Sequence, residues 1–277
     1  MSNIISSDFY RVRKGAAYRN TCLGILAFIV IMLASFLFVQ SGMATEMLTA
    51  TNDLTPADVA ELEQTMQAEV AIVESGAVFG FQVLSDFFIF MFFLPVVISV
   101  FCADFTAGTY RNTLSYESDR IKVYMAKLLL SIALCLAMVL GMLAVSFLLG
   151  SFAFGFSGFT AAFFGKLAAT LLLQLPIYLA TITVCHCIVS FAKKSSSTIA
   201  VFLAGYFALV LVLQLAVGIF HMPEWLMLLD AQSAGKMMAG YASAPKSYVV
   251  FVVAFNLGIT ALATLLGARY YQKTDMP

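Results

Sequence analysis

Charge is what this sequence has least of. Asp, Glu, Lys and Arg make up 11% of its 277 residues, against 62% hydrophobic residues. A soluble domain of that length needs a largely polar surface, and this composition cannot supply one. The few charges also balance, 15 basic against 15 acidic, so nothing marks the chain for a nucleic-acid partner. Histidine is nearly missing. His186 and His221 are the only two, too few and too far apart for a histidine metal site, and no metal is expected. No HExxH, no GxxxxGK[ST] phosphate loop and no serine–histidine–acid set appears, so the chain is expected to be no enzyme and to hold no ATPase site of its own. The five cysteines, Cys22, Cys102, Cys135, Cys185 and Cys187, lie in or beside apolar runs and read as small buried hydrophobes. Cys185 and Cys187, two positions apart, face different ways on a helix.

What the sequence has in plenty is long apolar runs. A hydrocarbon core of about 30 Å takes about 20 apolar residues in a helix, and six stretches qualify: 21–41, 81–103, 124–148, 162–190, 198–219 and 247–268. The first follows basic residues but lacks a convincing cleavage site, so it reads as a retained helix rather than a signal peptide. The expectation is an all-α integral membrane protein, a single transmembrane domain over 1–277.

The remaining segments differ in sign. Residues 1–20 hold Arg11, Arg13, Lys14 and Arg19 against Asp8. A serine-capped helix there would place Phe9, Val12 and Ala16 on one face, an amphipathic helix at the cytoplasmic interface; a basic tail is the alternative. Residues 42–80 hold Glu46, Asp53, Asp58, Glu61, Glu63, Glu69 and Glu74 and no Lys or Arg. Thr55-Pro56 before Asp58 starts a helix well, and Val59, Leu62, Met66, Val70 and Val73 recur at helical spacing, an amphipathic acidic outer helix. Asp58, Glu61 and Glu63 would recognise a cationic substrate or brace the mouth of the bundle. Residues 220–246 are too short and polar to span twice and too apolar for a free loop, so short re-entrant or interfacial helices are expected. The segments 104–123 and 269–277 carry basic residues. Arg11, Arg13, Lys14, Arg19, Arg111, Arg120, Lys122, Lys127, Lys193, Lys194, Arg269 and Lys273 fall on one side, and Lys166, Lys236 and Lys246 on the other. That bias puts both termini in the cytoplasm.

Polar residues inside the spans are the next candidates. Asp86 is expensive to expose to lipid; it is either functional or a water-boundary group capping a helix or pairing with Lys166. Gln174, Gln214 and Asn256 line a pathway or tie helices together by hydrogen bonds of about 1 kcal/mol each, the second being favoured. Ala133, Ala137 and Gly141, and more weakly Ala254 and Gly258, form small-residue stripes suited to internal packing or to a subunit interface.

The stretch FCADFTAGTYRNTLSYESDRIKVYMAKLLLS, between the second and third spans, carries most of the information. Its charges exclude it from lipid. Asp104, Gly108, Thr109, Arg111, Asn112, Leu114, Arg120, Tyr124 and Lys127 resemble the segment between the second and third spans of bacterial ABC-2 type transporter permeases. Asp119 stands where serine is more usual in that family, and Asp104 where glutamate is common. The basic N-terminal helix, the six spans and the apolar outer segment also resemble that family's outline, and the acidic outer segment resembles its antimicrobial-peptide export and immunity members. The resemblance implies a permease subunit in the bacterial plasma membrane, paired with a second permease subunit, identical or different. It also implies separate ABC ATPase subunits that hold ATP and Mg, this chain binding no cofactor. Gly108, Thr109, Arg111, Asn112, Arg120, Lys122 and Lys127 would couple to the ATPase, the basic ones pairing with its acids or with lipid phosphates. Phe9, Arg11, Arg13 and Lys14 would form the interfacial helix. The cargo implied is hydrophobic or amphipathic, a peptide among the candidates. The competing expectation is a non-transporting membrane sensor or immunity protein that binds its target at the outer face.

Overall fold

The computed structural model describes residues 2–41, 43, 73–85, 88–106 and 119–273. Helices α1 (Ser2–Lys14), α2 (Ala16–Gln40), α3 (Gly76–Ser85), α4 (Phe93–Thr106), α5 (Arg120–Phe154), α6 (Ala161–Ala192), α7 (Ser195–Gly218), α8 (Ala231–Ala239) and α9 (Lys246–Lys273) carry the described fold, with 3₁₀ turns at Phe88–Phe92 and Glu224–Leu229. Among the described residues α2, α5, α6, α7 and α9 are long and apolar enough to cross a membrane, and α3 with α4 makes a sixth if the pair is one span. Their outward side chains are those of a lipid-facing surface. Leu23, Val30 and Ile31 on α2, Leu211 and Val212 on α7, and Leu257, Leu262 and Leu265 on α9 are all exposed, more apolar surface than a water-soluble monomer presents. The protein is a multi-pass helical membrane protein.

Three boundaries differ from those read in the sequence. The apolar run 81–103 is not one helix: it breaks after Ser85, turns through Phe88–Phe92 as a 3₁₀ segment and restarts as α4. Pro95 accounts for the restart. In an unbroken helix its ring would collide with the carbonyl of Met91 and its nitrogen could donate no hydrogen bond, whereas the first turn of a new helix tolerates both. At the N-terminus, α1 ends at Gly15, whose amide donates to the Arg11 and Val12 carbonyls at 2.9 and 3.1 Å, and 16–20 already belong to α2. Finally, α5 has 35 residues, about 52 Å of helix against a core of about 30 Å. It runs past 148 to Phe154 and stops where Gly155 takes a φ of 92°, a conformation that glycine adopts without strain.

The helices divide into two compact units. The first comprises Met1–Cys22, Ser85–Val139 and Ala168–Pro277; the second, Leu23–Leu84 and Leu140–Leu167. In the second, α3 lies against the end of α5 at backbone contact. The Gly76 amide donates to the Gly155 carbonyl at 3.1 Å, and a Cβ on Gly76 would run into the backbone of Ser151. Phe79, fully buried, meets Phe36 and Phe154 edge-on and tilted at 5.9 and 5.8 Å, and Lys166 sits 4.6 Å above the Phe81 ring, a cation–π contact. In the first unit α1 packs on α4, α4 on α7, and the second 3₁₀ turn against α7, α8 and α9.

Candidate functional site

A buried polar constellation links three helices of the first unit. Asp8 on α1 is 6% exposed. One carboxylate oxygen pairs with Arg11 at 3.0 Å and the other with the Lys127 ammonium at 3.0 Å. Lys127, on α5, is 1% exposed and also donates to the Val100 carbonyl on α4 at 3.3 Å, an oxygen that accepts from Arg11 at 3.2 Å as well. Two cations, one carboxylate and one carbonyl thus join α1, α4 and α5. Burying charge is expensive unless it is paired and hydrogen-bonded, and here each charge has partners on another helix. Val100 and Lys127 flank the 104–123 segment on its two sides, so both of its attachments are held to α1.

Around that cluster the other basic candidates face outward. Arg120 opens α5 and donates to the Gln272 carbonyl near the end of α9 at 3.3 Å. Lys122 pairs with Asp119 at 3.6 Å, while Asp119 Oδ1 accepts the amides of Ile121 and Lys122 at 3.1 and 3.4 Å, an N-terminal cap for α5. On α1, Val12 is buried while Phe9 and Tyr10 are exposed, so the inward face pairs Val12 with Asp8 and leaves Phe9 out. Arg13 and Lys14 are exposed, Lys14 lying 5.9 Å from the Tyr10 ring. Gly108, Thr109, Arg111 and Asn112 lie outside the described residues, as do Asp58, Glu61, Glu63 and Asp86.

The polar span residues part company. Gln174 is fully buried; its Nε2 donates to the Gly235 carbonyl of α8 at 3.0 Å, and its Oε1 accepts from the Tyr178 hydroxyl at 3.0 Å. It pins α8 to α6. Asn256 is buried but bonds within its own helix, to the Val252 carbonyl at 2.8 Å, and Gln214 is exposed. Ala133, Ala137, Gly141, Ala254 and Gly258 all face outward, with open space beyond Gly141 and Gly258.

A second cluster escaped the sequence reading. His186 on α6 is fully buried, its ring edge-on to Tyr124 at 4.6 Å and to Phe101 at 4.9 Å; Tyr271 adjoins both of those rings. Among the described residues neither imidazole nitrogen and not the Tyr124 hydroxyl has a hydrogen-bond partner. No spacing rule brings α4, α5, α6 and α9 to one point. Asp8 was visible as the acid in a basic segment, with Arg11 at helical spacing, but its partner lies far along the chain.

Among the described residues no group of three or more His, Cys, Asp or Glu could hold a metal ion. Comparison of the chain with protein-family models, with curated proteins and with solved structures finds no match.

Proposed function

We propose that this chain is the membrane-spanning permease subunit of an ATP-driven exporter of the ABC-2 type. The observation that carries the reading is the 104–127 segment, with its Gly108-Thr109 pair and its Arg111, Arg120, Lys122 and Lys127 in the sequence, and the anchoring of both its flanks. A push on that segment by a nucleotide-binding subunit would be delivered to α1, α4 and α5 together, because Asp8, Lys127 and the Val100 carbonyl tie them. Lys127 serves inside this clasp, and contact with the ATPase falls to Arg111, Asn112, Arg120 and Lys122. Nucleotide-driven closure would shift the helices between two packings and expose the pathway alternately. The exposed Ala254–Gly258 stripe is suited to the second permease subunit, since small residues let backbones approach. Phe9, Tyr10, Arg13 and Lys14 suit a helix lying in the cytoplasmic interface of the plasma membrane, with both termini inside. The cargo class is hydrophobic or amphipathic, and a cationic peptide fits the acids Asp58, Glu61 and Glu63.

A photo-crosslinking residue placed at Thr113 tests the reading in the native membrane. Capture of a nucleotide-binding ATPase is the expected result. Capture of a sensor kinase, or of lipid alone, would replace the exporter with a non-transporting membrane protein.

A further inference from the structure

At the end of the first unit remote from Arg120 and Gln272, the second 3₁₀ turn, α8 and the start of α9 enclose a groove of about 490 Å³. Small-molecule sites span about 300–1,000 Å³. Glu224, Trp225, Lys236, Met237, Pro245 and Tyr248 line it. Its walls are fixed. Asp230 caps α8 by accepting the Ser233 amide and hydroxyl, both at 3.0 Å, and Gln174 holds the Gly235 carbonyl from α6. One carboxylate and one ammonium share this rigid groove, and among the described residues neither Glu224 nor Lys236 has an ion-pair partner.

From the groove an aromatic ladder runs down α9. Trp225 meets Phe251 edge-on at 5.4 Å, and Phe251 stacks on Phe255 at 5.8 Å. Ile219, Phe220 and Met222, just past the end of α7, are exposed. The site therefore presents an anion, a cation and an indole at one end and a hydrophobic track into the span at the other. A free solute would leave the track empty, and an anionic lipid would meet Glu224 with like charge.

We propose that this groove binds a membrane phospholipid with a primary-amine headgroup, its ammonium on Glu224 and Trp225, its phosphate on Lys236 and an acyl chain along Phe251 and Phe255. The proposal stands apart from any coupling to an ATPase.

Trp225 is the only tryptophan in the chain, so its fluorescence reports on the groove directly. The full chain in phosphatidylcholine nanodiscs would be titrated with acyl-brominated phosphatidylethanolamine, phosphatidylglycerol or phosphatidylcholine. Brominated phosphatidylethanolamine should reach half-maximal quenching at a mole fraction about threefold or more below the other two, the scale of one or two exposed charge contacts. At these exposed positions, Glu224→Gln should erase that preference, and Lys236→Met should raise the half-quenching mole fraction of all three lipids, neither changing the melting temperature. Equal quenching by all three lipids, or stronger quenching by phosphatidylglycerol, would overturn the proposal in favour of an ordinary lipid annulus. Preference unchanged in Glu224→Gln, or quenching by all three lipids unchanged in Lys236→Met, would overturn the assigned contacts. Release of the brominated lipid by a soluble peptide, at concentrations where added phosphatidylethanolamine does not release it, would overturn it in favour of a peptide site.

Discussion

Asp8 and Lys127 stand 119 positions apart in sequence and meet at 3.0 Å, both buried. Removing one partner of a buried pair strands the other charge, at a cost of about 3–5 kcal/mol. Because Arg11 also touches Asp8, Lys127→Met should fall at the lower end, about 3 kcal/mol. Asp8→Asn combined with Lys127→Met should recover part of that loss, since neither buried charge remains and the Arg11 guanidinium, 32% exposed, keeps water and the Val100 carbonyl. Thermal unfolding of the purified chain in detergent checks both variants.

Gln174 makes the link between α6 and α8. Gln174→Leu deletes two hydrogen bonds and leaves the Gly235 carbonyl buried without its donor, so a loss of about 1–3 kcal/mol is expected. The effect should be local. Hydrogen exchange should speed up over 231–240 more than at the Asp8 clasp, and uniform acceleration across both regions would contradict the pinning role.

Glycine positions give a contrast within one protein. Gly76 faces the Ser151 backbone with no room for a methyl group, whereas Gly258 faces open space. In the isolated subunit, Gly76→Ala should therefore destabilise by about 1–3 kcal/mol through overpacking, and Gly258→Ala should be neutral or slightly stabilising in a helix. Melting temperatures of the two single variants decide it.

Parts of this fold were legible in advance, for identifiable reasons. Span length and apolar composition are local properties, so the existence of α2, α5, α6, α7 and α9 could be read from hydropathy. The break before α4 was also written in the sequence, as Pro95, but hydropathy is blind to it because Phe88–Phe92 is as apolar as its neighbours. The inward face of α1 was half legible: periodicity marks Val12, but it also marks Phe9, which is exposed, and misses Asp8, which is buried. A carboxylate faces inward only because Lys127 waits there, and such a pairing has no local signature. Chemistry alone marked Gln174 as a pathway residue or a helix tie, the second favoured, while its hydrogen-bond partner, a carbonyl of α8, became apparent only in three dimensions.

The central claim is that the 104–127 segment engages a separate ATPase. The direct measurement is affinity purification of the chain from its native membrane, followed by ATPase assay of what accompanies it, comparing wild type with Arg111→Glu plus Arg120→Glu. A stoichiometric ATPase that accompanies the wild type and is lost from the double variant, with the variant's melting temperature unchanged, is the predicted result. No ATPase with either protein, under conditions that preserve membrane complexes, would contradict the account.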